Sequence, residues 1–198
     1  DVGFDEFYGF YPAQKEVSQR VDARRYPGIA LDPLLMAAFE GLGIGHHLVH
    51  GFKGGRTVKV SSIESTEDMG RADQALADFS IAKIKELAAK DKPFFLEHCF
   101  MKVHCDNFAN PDLAGLSSSK YPYKDAIVEV DLHIGALRAA LEEAGVLENT
   151  LIFLTSDNGP QMDAWPDAGY TPFRGAKGTT FEGGVRVPGI ANWKGMIE

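Results

Sequence analysis

An α/β fold, with a mostly parallel central sheet flanked by helices, is what the order of hydrophobic periods along these 198 residues predicts. Three observations carry it. Tyr121 to Ala144 keeps an apolar stripe at helical spacing (Tyr123, Ile127, Val130, Ile134, Leu137, Leu141) and meets a stop at Gly145. Leu151-Ile152-Phe153-Leu154 is a continuous apolar run of strand length, as expected for a central parallel strand covered on both faces. Helical and extended patterns alternate along the chain rather than segregating into blocks.

The elements follow in order. The first sixty or so residues read as irregular, punctuated by Pro12, Pro27 and Pro33. Gly51-Phe52-Lys53-Gly54-Gly55 reads as a turn before a short alternating strand, Thr57 to Val60. Ser65 with Asp68 three residues on forms a short-acid capping box ahead of a helix through Lys90. On that helix Ala72, Leu76, Phe79 and Leu87 share one stripe, while Ile81, Ile84 and Ala88 lie on another side, so more than one face is covered. Lys92-Pro93 stops the helix, and Phe94 to Phe100 reads as a strand with apolar residues on both faces. Near the end, Gly183-Gly184-Val185-Arg186-Val187-Pro188 reads as a tight turn entering another short strand.

Composition narrows the function classes. With 28 acidic side chains against 20 Lys and Arg, the chain carries a net charge of −8, and no basic footprint exists for a nucleic acid or an anionic membrane. No apolar run approaches the ~20 residues that a membrane-spanning helix needs. The opening Asp1-Val2 has neither a Met nor a basic and apolar leader, and the close at Lys194-Gly195-Met196-Ile197-Glu198 falls in mid-pattern, so the chain reads as a piece of something longer. Cys99 and Cys105 are read as two thiols and not as a disulfide framework.

In an open α/β sheet, ligands bind beyond the carboxyl ends of the strands. After the buried run, Asp157 offers an anionic oxygen and Asn158 a neutral carbonyl oxygen, with Gly159 to turn the backbone sharply. Hard cations take oxygens of this kind, and Asp-Asn-Gly is equally good plain turn chemistry. His104 follows the other strand end, where an imidazole can donate a proton or bind an oxyanion, or simply be a hydrogen-bonded structural residue. Glycines bracket Lys177 in Gly175-Ala176-Lys177-Gly178, a setting for an anion-holding ammonium or for a flexible surface lysine. The spacing is not that of a phosphate loop, and nucleotide binding is rejected.

Gly3-Phe4-Asp5-Glu6-Phe7-Tyr8-Gly9, Ser156-Asp157-Asn158-Gly159 and the block from Gly175 to Pro188, in this order and spacing, resemble the sulfatase family of the alkaline-phosphatase superfamily. The resemblance covers nearly the whole chain and is weakest over about 21–63, a variable substrate-side region; 64–198 would be the sheet-and-helix core of a partial catalytic domain. It implies an alkaline-phosphatase-like fold and metal-assisted hydrolysis of a small-molecule sulfate ester. Asp157 and Asn158 match two of the family's ligands to a divalent metal, usually Ca²⁺, with Mg²⁺ or Mn²⁺ as alternatives. Lys177 matches a lysine that holds the sulfate and the ester oxygen, and His104 a histidine that contacts the sulfate and the leaving group. Val103 departs from the family's frequent Pro before that histidine. The formylglycine nucleophile expected in the family arises in a Cys/Ser-x-Pro-x-Arg motif, and no such motif occurs here. The chain alone is therefore expected to be inactive. Relatives point to a periplasmic or secreted protein.

Other readings stay beside this one. A phosphate- or phosphonate-ester hydrolase of the same superfamily would share the metal logic, and a non-catalytic fragment would bind metal or anion without turnover. An incomplete sheet should expose an apolar edge, so a homo-oligomer or a longer polypeptide is expected. Gly45-His46-His47-Leu48-Val49-His50 brings three imidazoles together but lacks the Glu of a zinc helix, and reads as a substrate-side loop. His133 is expected at a solvated or edge position, Glu182 and Arg186 as an ion pair, and Asp112, Asp163 and Asp167 as solvated loop carboxylates.

Overall fold

The computed structural model describes residues 3–11, 14–41 and 46–197; Pro12, Gly45, the opening Asp1-Val2 and the closing Glu198 lie outside them. The first third is not irregular. Strand β1 (Glu6–Tyr11) is followed by helices α1 (Gln14–Val21), α2 (Pro27–Ala30) and α3 (Pro33–Gly41), then by β2 (His47–Phe52) and β3 (Val58–Ser62). The three strands form one antiparallel sheet in the order β1-β2-β3. Pro27 and Pro33 open α2 and α3 rather than breaking structure, as proline does at a first helical position.

Helix α4 (Thr66–Ala88) starts where its sequence says it should: the Ser65 side chain accepts from the Asp68 amide at 3.1 Å, and Asp68 Oδ2 accepts from the Glu64 amide at 3.0 Å. Helix α5 (Pro122–Glu143) ends at Gly145, whose φ of +71° lets the Val146 amide reach back to the Leu141 carbonyl. The two helices pack through Ile84, Ala140 and Leu141 onto Leu147, with Phe94, Leu96 and Ile152 against the same core. Strands β4 (Ile152–Thr155) and β5 (Gly189–Asn192) form a second sheet, and the short helix α6 (Glu182–Val185) lies between them in sequence.

The α/β class holds, and four local expectations change. Every strand pair among the described residues is antiparallel, β4 with β5 included. Strand β4 is covered on one face only, because Phe153 on its other face is 64% exposed. Phe94 to Phe100 runs extended, with burial alternating along it, but joins no ladder among the described residues. A strand requires a hydrogen-bonded neighbour, and apolar patterning alone cannot supply one. The Gly183-Gly184 segment forms a helical turn, α6, before β5.

The largest departure is on α5, where the buried stripe is partly polar. Asp125, Glu129 and His133 recur at four-residue spacing, all buried, while Ile127 is exposed. His133 is thus not solvated. Glu129 accepts from Lys102 Nζ at 2.8 Å, and Lys102 also donates to the Gly70 carbonyl. Asp73 of α4 accepts the amides of Met101 and Lys102 at 2.7 and 3.1 Å and lies 3.6 Å from the Lys102 ammonium. Burial pushes the Asp73 carboxyl above its usual range despite that ammonium. Burial acts on Glu129 in the same sense, but hydrogen bonds from His133 and Lys102 outweigh it and hold its carboxyl low. A second apolar cluster of Val17, Ile63 and Met69 receives Met101 and Phe108. Segment 101–108 is therefore gripped at both ends, by ions and by packing.

Two outcomes check these assignments. Lys102→Met leaves two buried carboxylates without their cation and should cost about 3–5 kcal/mol in chemical unfolding, with a loss under 1 kcal/mol contradicting the network. Desolvation, with the His133 charge adding, holds His98 down to about 4. Below its ordinary pKa the unfolded chain takes a proton that the folded chain refuses, so stability falls as pH drops from 6.5 toward 4. His98→Gln should shrink the stability gap between pH 7 and pH 5 by about 2 kcal/mol; an unchanged gap contradicts this reading.

Candidate active site

Backbone packing brings the two polar blocks of the sequence together. The Gly159 amide donates to the Gly184 carbonyl at 2.9 Å, and the Lys177 amide to the Pro160 carbonyl at 3.0 Å. The approach is so close that glycine is required: a Cβ on Gly159 would sit 1.9 Å from the Gly183 oxygen, and one on Gly184 2.1 Å from the Thr179 oxygen. Within the loop, Thr179 closes on the Ala176 carbonyl through both its amide and its hydroxyl. Lys177 is thereby held just beyond the carboxyl end of β4, its amide on Pro160, two residues past Asn158 in sequence.

At that point it meets the second strand end. Lys177 Nζ lies 2.9 Å from His104 Nε2. An ammonium only donates, so Nε2 carries the lone pair and the imidazole is neutral, with its proton on Nδ1 facing the Cys105 carbonyl. One of the three ammonium donors is spent on this contact, leaving two for an anion. The structure thus joins two residues 73 positions apart that the sequence singled out separately.

Asp157 and Asn158 are placed less completely. Asp157 is exposed and Asn158 half-buried, and the Ser156 hydroxyl holds the Asn158 backbone carbonyl at 3.1 Å. The Asp157 charge reaches Cys99 at the end of the Phe94–Phe100 segment: desolvation, then the charges of Glu97 and Asp157, push that thiol up. Cys99 is exposed and Cys105 buried, neither in a disulfide, and the Cys105 thiol donates to Gln161 Oε1 at 3.3 Å. The donors are hard oxygens suited to Ca²⁺ or Mg²⁺, but two side chains fall short of a full shell. Among the described residues no group of three His, Cys, Asp or Glu is gathered for a metal. The remaining ligands would come from elsewhere.

Around His104 lies a network the sequence reading missed. Arg25 Nη1 lies 2.7 Å from Asp106 and 3.6 Å from Asp167, and Tyr26 donates its hydroxyl to Asp106. Asp167 accepts the Asn107 amide at 2.9 Å, so it is not a solvated carboxylate. Burial pushes its carboxyl up, against the pull of Asn107 and Arg25. The four-residue spacing of Asp125, Glu129 and His133 is a signal of buried polar structure that the sequence reading passed over; Arg25 and Asp167 carry no such mark. Asp112 does stay exposed, paired with Arg71, and Glu182 pairs with Arg186 at 3.0 Å.

Of the three clustered imidazoles, His47 and His50 lie on β2, not in a loop, and His46 immediately precedes it. Each has its own partner: His46 with Glu64 at 2.9 Å, His47 with the Ser62 hydroxyl at 3.0 Å, and His50 with Glu6 at 2.6 Å. The rings of His46 and His47 lie 4.6 Å apart, whereas His50 sits against Phe52 and Phe79.

Comparison with known proteins places the chain in a family. The Sulfatase family model matches residues 1–198. Steryl-sulfatase of Rattus norvegicus is 41% identical over 114 residues, 54% of this chain and 20% of that protein. Human arylsulfatase A is 38% identical over 109 residues, 54% of this chain and 21% of that protein. Among solved structures, PsFucS1 sulfatase from Pseudoalteromonas sp. superposes with a TM-score of 0.93 at 47% identity, over 100% of this chain and 39% of that one. The chain spans about a fifth of the length of these curated relatives. With residues 1–198 all matched by the family model, the chain belongs to the sulfatase family.

Proposed function

We propose that the protein containing this chain hydrolyses sulfate monoesters, and that this chain supplies the part of the site that holds the ester's charge and its departing oxygen. The observation that carries the reading is the 2.9 Å contact of Lys177 with His104 beside the Asp157-Asn158 turn. Two donors of the Lys177 ammonium remain to hold anionic ester oxygens. As the sulfur–oxygen bond breaks, charge builds on the bridging oxygen, and a donor aimed there favours the transition state over the bound ester. The His104 lone pair orients the ammonium and keeps it from swinging into solvent.

Asp157 and Asn158 would hold a divalent cation, Ca²⁺ in our reading, through a carboxylate and an amide oxygen. When bound, such an ion acts as a Lewis acid on a sulfuryl oxygen. No nucleophile motif of the form Cys/Ser-x-Pro-x-Arg occurs in these residues, so the reaction requires a formylglycine from beyond them. We assign residues 64–198 to the catalytic core and about 21–63 to its substrate side. The family resemblance supports a periplasmic or secreted setting; among the described residues no helix is long and apolar enough to cross a membrane.

Two experiments test the assignment. The full-length protein should turn over 4-nitrophenyl sulfate, the isolated 198-residue chain should not, and Lys177→Met should lower the full-length kcat by about 10²–10³-fold. Turnover by the isolated chain, or a Lys177→Met enzyme as fast as wild type, overturns the roles given. Calorimetric titration of Ca²⁺ into the chelator-stripped full-length protein should show binding that Asp157→Ala weakens by at least about tenfold, the loss of one charged ligand. Equal affinity in the two proteins removes Asp157 from the metal site.

A further inference from the structure

The segment that carries His104 is held on its far side as well. Asp73 and Lys102 fix the residues before the imidazole, and those after it are tied to the loop that follows the Asp157-Asn158 turn. The Cys105 thiol donates to Gln161 Oε1 at 3.3 Å. The Asn107 amide donates to the Asp167 carboxylate at 2.9 Å, and Asn107 Nδ2 to the Asp167 backbone carbonyl at 3.1 Å. The same loop receives Lys177, whose amide donates to the Pro160 carbonyl at 3.0 Å. Residues 160–167 are therefore a shared frame, to which both members of the 2.9 Å Lys177–His104 contact are referenced.

That frame has an electrostatic weak point. The carboxylates of Asp106 and Asp167, both largely buried, share one nitrogen of Arg25, at 2.7 and 3.6 Å. Two carboxylates that close repel each other strongly unless a cation lies between them. Burial, with the Asp106 charge adding, pushes the Asp167 carboxyl up, and the hydrogen bonds of Asn107 and the Arg25 charge pull it back. Arg25 is itself held in place. Its amide donates to Asp22 Oδ1 at 3.1 Å, its Nε lies 3.7 Å from Asp22 Oδ2, and its guanidinium stands over the Phe108 ring at 5.8 Å from the centroid. The neighbouring Tyr26 hydroxyl donates to the other Asp106 oxygen at 2.5 Å. Without the Arg25 charge, Tyr26 still holds Asp106 while Asp167, bonded to Asn107, is driven from it, and the 105–107 turn is pulled off its frame.

We propose that Arg25 is a positioning residue for the hydrolytic site: by neutralising Asp106 and Asp167 together, it locks the turn after His104 to the 160–167 loop and keeps the imidazole in register with Lys177. Its effect reaches the ester only through that pair. The role rests on the sulfate-ester reading for the reaction affected; the placement of the ring can be followed without it.

The test uses the full-length protein and 4-nitrophenyl sulfate. Arg25→Met should lower kcat about tenfold or more, the cost of a misplaced donor, while KM moves less than about threefold. Adding Asp167→Asn removes one of the two opposed charges and leaves an amide oxygen that can still accept from Asn107, so the double variant should return to within about threefold of the wild-type kcat. Were Arg25 important only for its contacts with Asp22 and Phe108, the second change would restore nothing. A double variant as slow as Arg25→Met, or an Arg25→Met enzyme as fast as wild type, overturns the proposal. If Arg25→Met fails to fold, the comparison passes to Arg25→Lys, whose single ammonium lacks the fork needed for both carboxylates. Its kcat should fall about threefold and recover with Asp167→Asn, and an unchanged kcat overturns the role. Should wild type hydrolyse no sulfate ester, the sulfate-ester reading fails and the ring itself decides. The ¹⁵N resonances of His104 should then move in Arg25→Met and return in the double variant; resonances that stay in place overturn the positioning role.

Discussion

An ammonium group facing an imidazole nitrogen at 2.9 Å is stable only if the ring is neutral and turned so that its lone pair points at the ammonium. That requirement reaches far into this molecule. His104 must be held in one orientation by its own segment, and Lys177 must be delivered by a loop 73 residues away whose position is independent of it. The two supports use different physics. The lysine loop is fixed by backbone on backbone, with Gly159, Gly183 and Gly184 leaving no room for a side chain. The histidine turn is fixed by a buried cation between two carboxylates and by Met101 and Phe108 set in an apolar cluster.

The buried Asp73–Lys102–Glu129 arrangement is not an economical way to hold a turn. Desolvating three charges costs several kcal/mol per ion before attraction returns any of it, and apolar residues of the same volume would often be no less stable. What the ions add is direction. Asp73 accepts two successive amides just before His104, a constraint that packing alone does not impose. The β4–β5 sheet shows the contrast: Phe153 on one face and Ile190 on the other are exposed, hydrophobic residues that nothing among the described residues orders against a partner.

Local chemistry made much of this legible in the sequence. The Ser65 cap, the Gly145 stop and the two long helices follow from side chains acting within a few residues, and the structure places them accordingly. The glycine-rich loop around Lys177 was readable because only glycine permits such contact. Pairing was not readable: whether Leu151 to Leu154 meets a parallel or an antiparallel neighbour depends on chain distant in sequence, and here that neighbour is β5. Burial of His133 was missed for a related reason. An apolar stripe says which face of α5 could be covered, whereas the covered face is set by the charges on α4 and at Lys102 that fit against it. Arg25 and Asp167, both distant in sequence from His104, gave no pattern that spacing could reveal.

The central claim is that His104 and Lys177 form one anion-facing unit with the imidazole neutral. The most direct measurement is the ¹⁵N chemical shift of the His104 ring in full-length protein labelled at histidine, followed during titration with inorganic sulfate at neutral pH. The account predicts an unprotonated Nε2 at the start, a shift on adding sulfate, and loss of that response in Lys177→Met. A ring protonated on both nitrogens, or one indifferent to sulfate and to the Lys177 substitution, would contradict it.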